Sequence, residues 1–196
     1  MRFLKDTLRP ALGLFLMLGL ITGLAYPLLV TGAASLLFPA QAGGSLILRH
    51  GEIVGSSLIG QTFDQPGYFW GRPSATGGSA YNGQASGGSN LGPTNPVLRE
   101  TLEQRAVALR AAHPEQAGQA IPGDLLTASA SGLDPHISPL AASWQAARVA
   151  RERGLSAAVI GQLIMANTEG RLWGIFGEPV VNVLALNLAL DDMKRH

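Results

Sequence analysis

The sequence predicts an α+β protein: one N-terminal transmembrane helix followed by a single extracytoplasmic domain of three or four helices and a small antiparallel sheet. Three observations carry that expectation. No Asp, Glu, Lys, Arg or His occurs from Pro10 to Leu48. Helix caps recur at Asn95-Pro96, Ser138-Pro139 and Ser156. Short apolar runs flank the turn-forming stretch Arg49-His50-Gly51-Glu52. Composition agrees, since 46% hydrophobic against 14% charged residues is apolar for a soluble protein, and the excess is concentrated before Leu48.

The apolar run "ALGLFLMLGLITGLAYPLLVTGAASLLF", Ala11–Phe38, exceeds the roughly 20 residues that cross a bilayer as a helix. Ala40-Gln41-Ala42 has the small-x-small pattern of a signal-peptidase site, but a signal core is typically about 7–15 residues long. The first reading is therefore a retained helix over residues 11–37. Arg2, Lys5 and Arg9 against Asp6 precede it, and the next charge is Arg49. The positive-inside rule puts residues 1–10 in the cytoplasm and 38–196 outside. Gly19 and Gly23 form a GxxxG pair, and Pro27 removes a helical hydrogen bond; both suit a kinked helix that packs on other helices, a lipid-exposed glycine pair being the alternative.

Beyond the span, Ser45–Gly60 reads as a β-hairpin turning at Gly51. "QTFDQPGYFWGRP" holds Phe63, Tyr68, Phe69 and Trp70 and forms an aromatic corner. The stretch from Gly71 to Pro96 has seven glycines, three prolines and one charged residue, Arg72. Asn95-Pro96 opens a helix with Leu98, Leu102, Ala106 and Leu109 on one face, ending near His113-Pro114. A short strand is expected from Leu125 to Gly132. Ser138-Pro139 opens a helix marked by Leu140, Trp144, Ala147 and Arg151; Gly154 stops it, and Ser156 starts another through Met165. The tail from Pro179 reads as a helix closed by Lys194-Arg195, although Val181 and Val183 also fit a strand.

Few chemistries fit. Apart from the first ten residues, eleven Lys and Arg face twelve Asp and Glu, so nothing points to nucleic acid. There are no cysteines for disulfides or thiolate metal sites. The glycine-rich stretch lacks a P-loop lysine, there being no lysine between Lys5 and Lys194. Ser86, Gly87 and Gly88, in "SGGSN", faintly resemble the Ser-Gly-Gly-Gln signature of transporter ATPases, against the plainer reading of an ordered turn-rich loop. Gln145 beside Trp144 is the first candidate for direct nucleotide contact, against a structural, hydrogen-bonded glutamine. The histidines are scattered and read as solvated. Ser129, Ser131, Asp134 and His136 suggest a hydrolase, but Gly-x-Ser-x-Gly is absent and turn or cap chemistry explains them better. Catalytic and metal-ligating residues are therefore expected to be none, with a membrane-anchored periplasmic hydrolase or binding module kept as the alternative.

Taken in order, "RPAL…LITGLAYPLL" (Arg9–Leu29), "GSSLIGQTF" (Gly55–Phe63), "YFWGRPSAT" (Tyr68–Thr76), "QASGGSNLGPTNP" (Gln84–Pro96), "LLTASASGLDPHISPLAA" (Leu125–Ala142) and "GEPVVNVLALNLALD" (Gly177–Asp191) resemble the C subunit of the bacterial Kdp high-affinity potassium-transporting P-type ATPase. The resemblance implies a non-catalytic accessory subunit of the bacterial inner membrane. Its implied partners are a potassium-translocating subunit, an ATP-hydrolysing subunit and membrane lipid. ATP, Mg and potassium would be used by the complex and not held stably by this chain. The family is usually described as a catalytic chaperone that raises the ATP affinity of the hydrolysing subunit. With the outer domain across the membrane from cytoplasmic ATP, any such effect would have to be transmitted.

Overall fold

The computed structural model of the chain describes residues 2–193, with side chains from Lys5. The chain forms two units, one running to Leu46 and the other from Ile47. The first is helical: α1 (Arg2–Leu20), a π-turn (Ile21–Ala25), α2 (Tyr26–Leu37) and a single turn, α3 (Pro39–Ala42). Lys5–Leu37 is long and apolar enough to cross a membrane, and none of it is buried within the chain.

The kink expected at Pro27 takes the form of the π-turn just before it. Pro27 has no N–H for the Gly23 carbonyl and its ring crowds that oxygen. One extra residue in the turn relieves the conflict, with the Tyr26 N–H donating to Ile21 O. The Thr22 hydroxyl donates to Leu18 O at 2.7 Å.

The second unit begins with the expected hairpin, β1 (Leu46–Arg49) and β2 (Glu52–Ser56). Its two-residue turn has φ of 54° at His50 and 85° at Gly51, the left-handed pair that matches strand twist. Then come α4 (Pro96–Ala112), the turn α5 (Gly123–Leu126), β3 (His136–Ile137), α6 (Pro139–Arg153), α7 (Ala157–Ala166), β4 (Thr168–Glu169), β5 (Val180–Asn182) and α8 (Val183–Asp192). β5 lies between β3 and β4, antiparallel to both, pairing Val181 with Ile137 and Thr168. The core joins Phe69, Leu109, Ile137, Trp144, Val149, Ile160, Leu186 and Leu190.

The predicted caps form as expected. Asn95, Ser138 and Ser156 accept from Val97, Ala141 and Val159 N–H, and Gly154 ends α6 at φ 67°. Three expectations need correction. Leu125 lies in a helical turn and not in a strand, because the Thr127 N–H and hydroxyl both close back on Gly123 O. The tail is strand first and helix second: Asn182 ends β5 and caps α8 by accepting from the Ala185 N–H. The inward face of α6 is Ala141, Trp144, Gln145, Arg148 and Val149, while Leu140 and Arg151 are exposed. Lys194 and Arg195, expected at the end of the tail helix, lie outside the described residues.

The glycine-rich stretch has no regular structure up to α4, yet it is cross-tied. Tyr81, at φ 56°, is its pin. Its hydroxyl donates to Arg72 O at 2.6 Å, and its N–H donates to the Ser74 hydroxyl at 2.9 Å. The ring fills space left by two glycines: a Cβ on Gly60 would collide with it, and one on Gly71 would lie 2.8 Å from its hydroxyl. Gly71→Ala is expected to cost about 1–2 kcal/mol by overpacking, and clearly less in a Tyr81→Phe background. Denaturant melts of the four proteins in that double-mutant cycle measure the coupling.

Candidate functional site

The centre of the second unit is polar. Arg148, reaching inward from α6, is 1% exposed, and His113 and Gln145 are fully buried beside it. The Arg148 Nε–H donates to His113 Nε2 at 2.8 Å and its Nη2 to Gln145 Oε1 at 2.8 Å. Its Nη1 donates to Tyr68 O at 3.0 Å and to Pro66 O. The guanidinium also lies 4.1 Å from the Trp70 ring centroid. All these partners are uncharged, so solvation of the cation is supplied by carbonyl dipoles, an imidazole lone pair and an indole face. Burial lowers the Arg148 pKa to about 10, with Glu152 acting the other way; it stays protonated at neutral pH.

Gln145 continues the network. Its Oε1 also accepts from the Trp70 N–H at 2.8 Å, and its Nε2 donates to Trp70 O at 3.0 Å. From α8, Asn187 does the same for the preceding residue, pairing with Phe69 N–H and C=O at 2.9 Å each. Two amide side chains thus bind the aromatic corner as a neighbouring strand would. At its edge, Arg153 donates to Gly67 O and to Asp191 at 2.8 Å and covers the Tyr68 ring, whose hydroxyl donates to Asp191.

His113 corrects the expectation that the histidines are solvated. It ends α4, and its Nδ1–H donates to Leu109 O at 2.7 Å, leaving Nε2 to accept from Arg148. Burial, the dominant cause, and the neighbouring Arg148 and Arg151 charges depress its pKa to about 4, against the bond to Leu109.

Of the residues read as nucleotide contacts, Gln145 is buried, Gly87 and Gly88 are half-buried and Ser86 is exposed. Gln145 has no exposed surface, and both its amide atoms are bonded as described, in the manner of the structural glutamine. The Ser86 hydroxyl and the Gly87 N–H both donate to Ser131 O, at 3.0 and 2.9 Å. Gly88 lies so close to Ala130 that a Cβ would meet its carbonyl at 3.0 Å. The structure therefore joins Ser86–Gly88 to the 129–132 turn and leaves Gln145 in the core, in a separate network.

The serine and histidine cluster is turn chemistry. Asp134 accepts from the His136 N–H at 3.0 Å and from Arg72 at 3.1 Å. Burial works to raise its pKa, but these bonds hold its carboxylate below the ordinary value. Ser131 Oγ accepts from the Leu133 N–H, and Ser129 is buried. Among the described residues, no group of His, Asp and Glu is arranged to hold a metal ion. In the apolar helix, a Cβ on Gly19 or Gly23 would meet nothing within 4 Å, so that stripe is open to another helix.

Residues 8–192 match the family described as KdpC, the c chain of the K+-transporting ATPase. The chain belongs to the KdpC family. It is 65% identical over 191 residues to the potassium-transporting ATPase KdpC subunit of Polaromonas naphthalenivorans, covering 97% of each chain. It is 62% identical over 188 residues to that of Variovorax paradoxus, covering 96% of this chain and 97% of the relative. With that of Dechloromonas aromatica it shares 55% over 192 residues, covering 98% of this chain and all of the relative. In this KdpC chain the buried cation network is a scaffold for the aromatic corner, tying it to α4, α6 and α8.

The depressed His113 pKa makes that scaffold acid-sensitive. The unfolded imidazole takes a proton near 6.5 while the folded one resists to about 4, so the unfolded state binds more protons in between. The His113 contribution to stability is full above pH 6.5 and is lost as pH drops towards 4, a fall of up to about 3 kcal/mol. Thermal melts across this window are expected to show that fall, and His113→Gln, which keeps an acceptor for Arg148, is expected to flatten it.

Proposed function

We propose that this KdpC chain is a non-catalytic accessory subunit of an ATP-driven potassium uptake pump, holding a potassium-translocating subunit and a separate ATP-hydrolysing subunit in a competent assembly. The named relatives are potassium-transporting ATPase subunits, which supports the pump as its setting. The observation that carries the accessory role is that the polar groups with the best claim to nucleotide are engaged within the chain: Gln145 is buried with both amide atoms bonded, and the exposed Ser86 hydroxyl and the Gly87 N–H are bonded to Ser131 O.

On this reading the N-terminus is cytoplasmic and residues 38–196 lie outside the inner membrane, as the flanking Arg2, Lys5 and Arg9 suggest. An effect on ATP affinity then acts through helix packing: the apolar helix favours one arrangement of the other subunits, and the nucleotide site responds across the membrane. ATP, Mg and potassium belong to the complex. Gly19 and Gly23 supply the close-approach stripe, and the π-turn before Pro27 sets the course of the helix past its neighbours.

Topology and docking are tested together in intact spheroplasts and in the purified pump. External protease is expected to remove a tag placed after His196, and protection of the tag would reverse the orientation. Gly19→Ile with Gly23→Ile is expected to lower recovery of the partner subunits several-fold; undiminished recovery would remove the helix from the interface.

A further inference from the structure

Between β4 and β5 the chain makes a tight apolar hairpin whose side chains have no place in the domain core. Leu172, Trp173, Ile175 and Phe176 are 61%, 81%, 73% and 60% exposed. The tip is nevertheless well built. Leu172 N–H donates to Phe176 O at 2.9 Å and Phe176 N–H to Leu172 O at 3.0 Å. The turn between them runs through Trp173 and Gly174 at φ 54° and 75°. Trp173 and Phe176 meet edge to face with centroids 6.1 Å apart. At the neck, Arg171 donates to both carboxylate oxygens of Glu178, at 2.9 and 2.8 Å.

Holding Trp173 at positive φ costs free energy, since a bulky side chain resists that conformation. The benefit is a protruding wedge of four large apolar side chains, of a kind soluble surfaces rarely expose. We propose that this tip is a second membrane contact, inserting into the interfacial layer of the bilayer next to the domain. Two features select lipid as its occupant. The apolar helix Lys5–Leu37 is long enough to anchor the chain in a membrane, and the outer unit starts at Ile47, so a connection of some ten residues, reaching about 35 Å at most, keeps the domain near the surface. The chemistry is also that of an interfacial anchor: an exposed Trp with aliphatic neighbours, and below it a charged pair that neutralises itself at headgroup level. With Arg171 spent on Glu178, the contact needs no anionic lipid and is insensitive to salt. The contact needs only the anchoring helix and the tip, and so is available on whichever side of the membrane the domain lies.

The chain contains no cysteine, so a single label can report. Full-length protein carrying Ile175→Cys labelled with an environment-sensitive fluorophore is reconstituted into zwitterionic phosphatidylcholine vesicles, with and without brominated acyl chains. Most of the fluorescence is expected to be quenched by the brominated lipid, at low and at high salt. The same label at Glu103→Cys, on the exposed face of α4, is expected to be unaffected. Adding Trp173→Ser and Phe176→Ser is expected to abolish the quenching while leaving the thermal midpoint unchanged. Equal behaviour of the labels at 175 and 103 would overturn the proposal. So would shielding of the label at 175 only after the other pump subunits are added, which would make the tip a protein contact.

Discussion

Burying Arg148 without a carboxylate is the constraint on which the second unit depends. A guanidinium at 1% exposure is tolerable only if its surroundings replace water, and here three parts of the chain do so. The end of α4 supplies His113, α6 supplies Gln145, and the aromatic corner supplies the Pro66 and Tyr68 carbonyls and the Trp70 ring face. Removing the cation would leave His113 Nε2 and the Pro66 and Tyr68 carbonyls unpaired in a dry interior, at about 1–3 kcal/mol for each. The network thus fixes the corner against two helices, and α8 completes the hold through Asn187.

The glycine-rich stretch depends on that corner. It leaves from Trp70, so its first residues are placed by the Gln145 pairing, and Tyr81 then folds it back between Gly60 and Gly71. Order comes from side-chain hydroxyls acting on backbone, with Ser74 accepting from Tyr81 and Thr76 from Asn82. Two of its seven glycines serve as space: at Gly88 another backbone comes close, and at Gly71 the Tyr81 hydroxyl does. A loop built this way holds a fixed shape.

Much of this was legible in the sequence, and the unreadable parts share a cause. Caps at Asn95, Ser138 and Ser156, the stop at Gly154 and the hairpin at His50-Gly51 are local chemistry, so the residues themselves announce them. The inward face of α6 was hidden because Arg148 and Gln145 occupy it, and periodicity treats polar residues as solvent-facing. The visible hint was their spacing from Ala141 and Trp144, which puts them on an apolar face. His113 read as a helix stop, and only its contact with α6, distant in sequence, shows it as a buried acceptor. In the tail, Asn182 within an apolar run was the sign of a cap, separating strand from helix. The family was legible because its strings are spread in order along nearly the whole chain.

On the proposed reading, this KdpC chain influences the pump by shape and packing, with Gln145 and Ser86–Gly88 already engaged within the chain. Hydrogen–deuterium exchange on the assembled pump, with and without ATP, tests that most directly. The account predicts unchanged protection at the amides of Phe69, Trp70 and Gly87, which the internal network already occupies. ATP-dependent protection confined to residues 86–88, or to the Gln145 turn of α6, would contradict it and return the nucleotide to this chain.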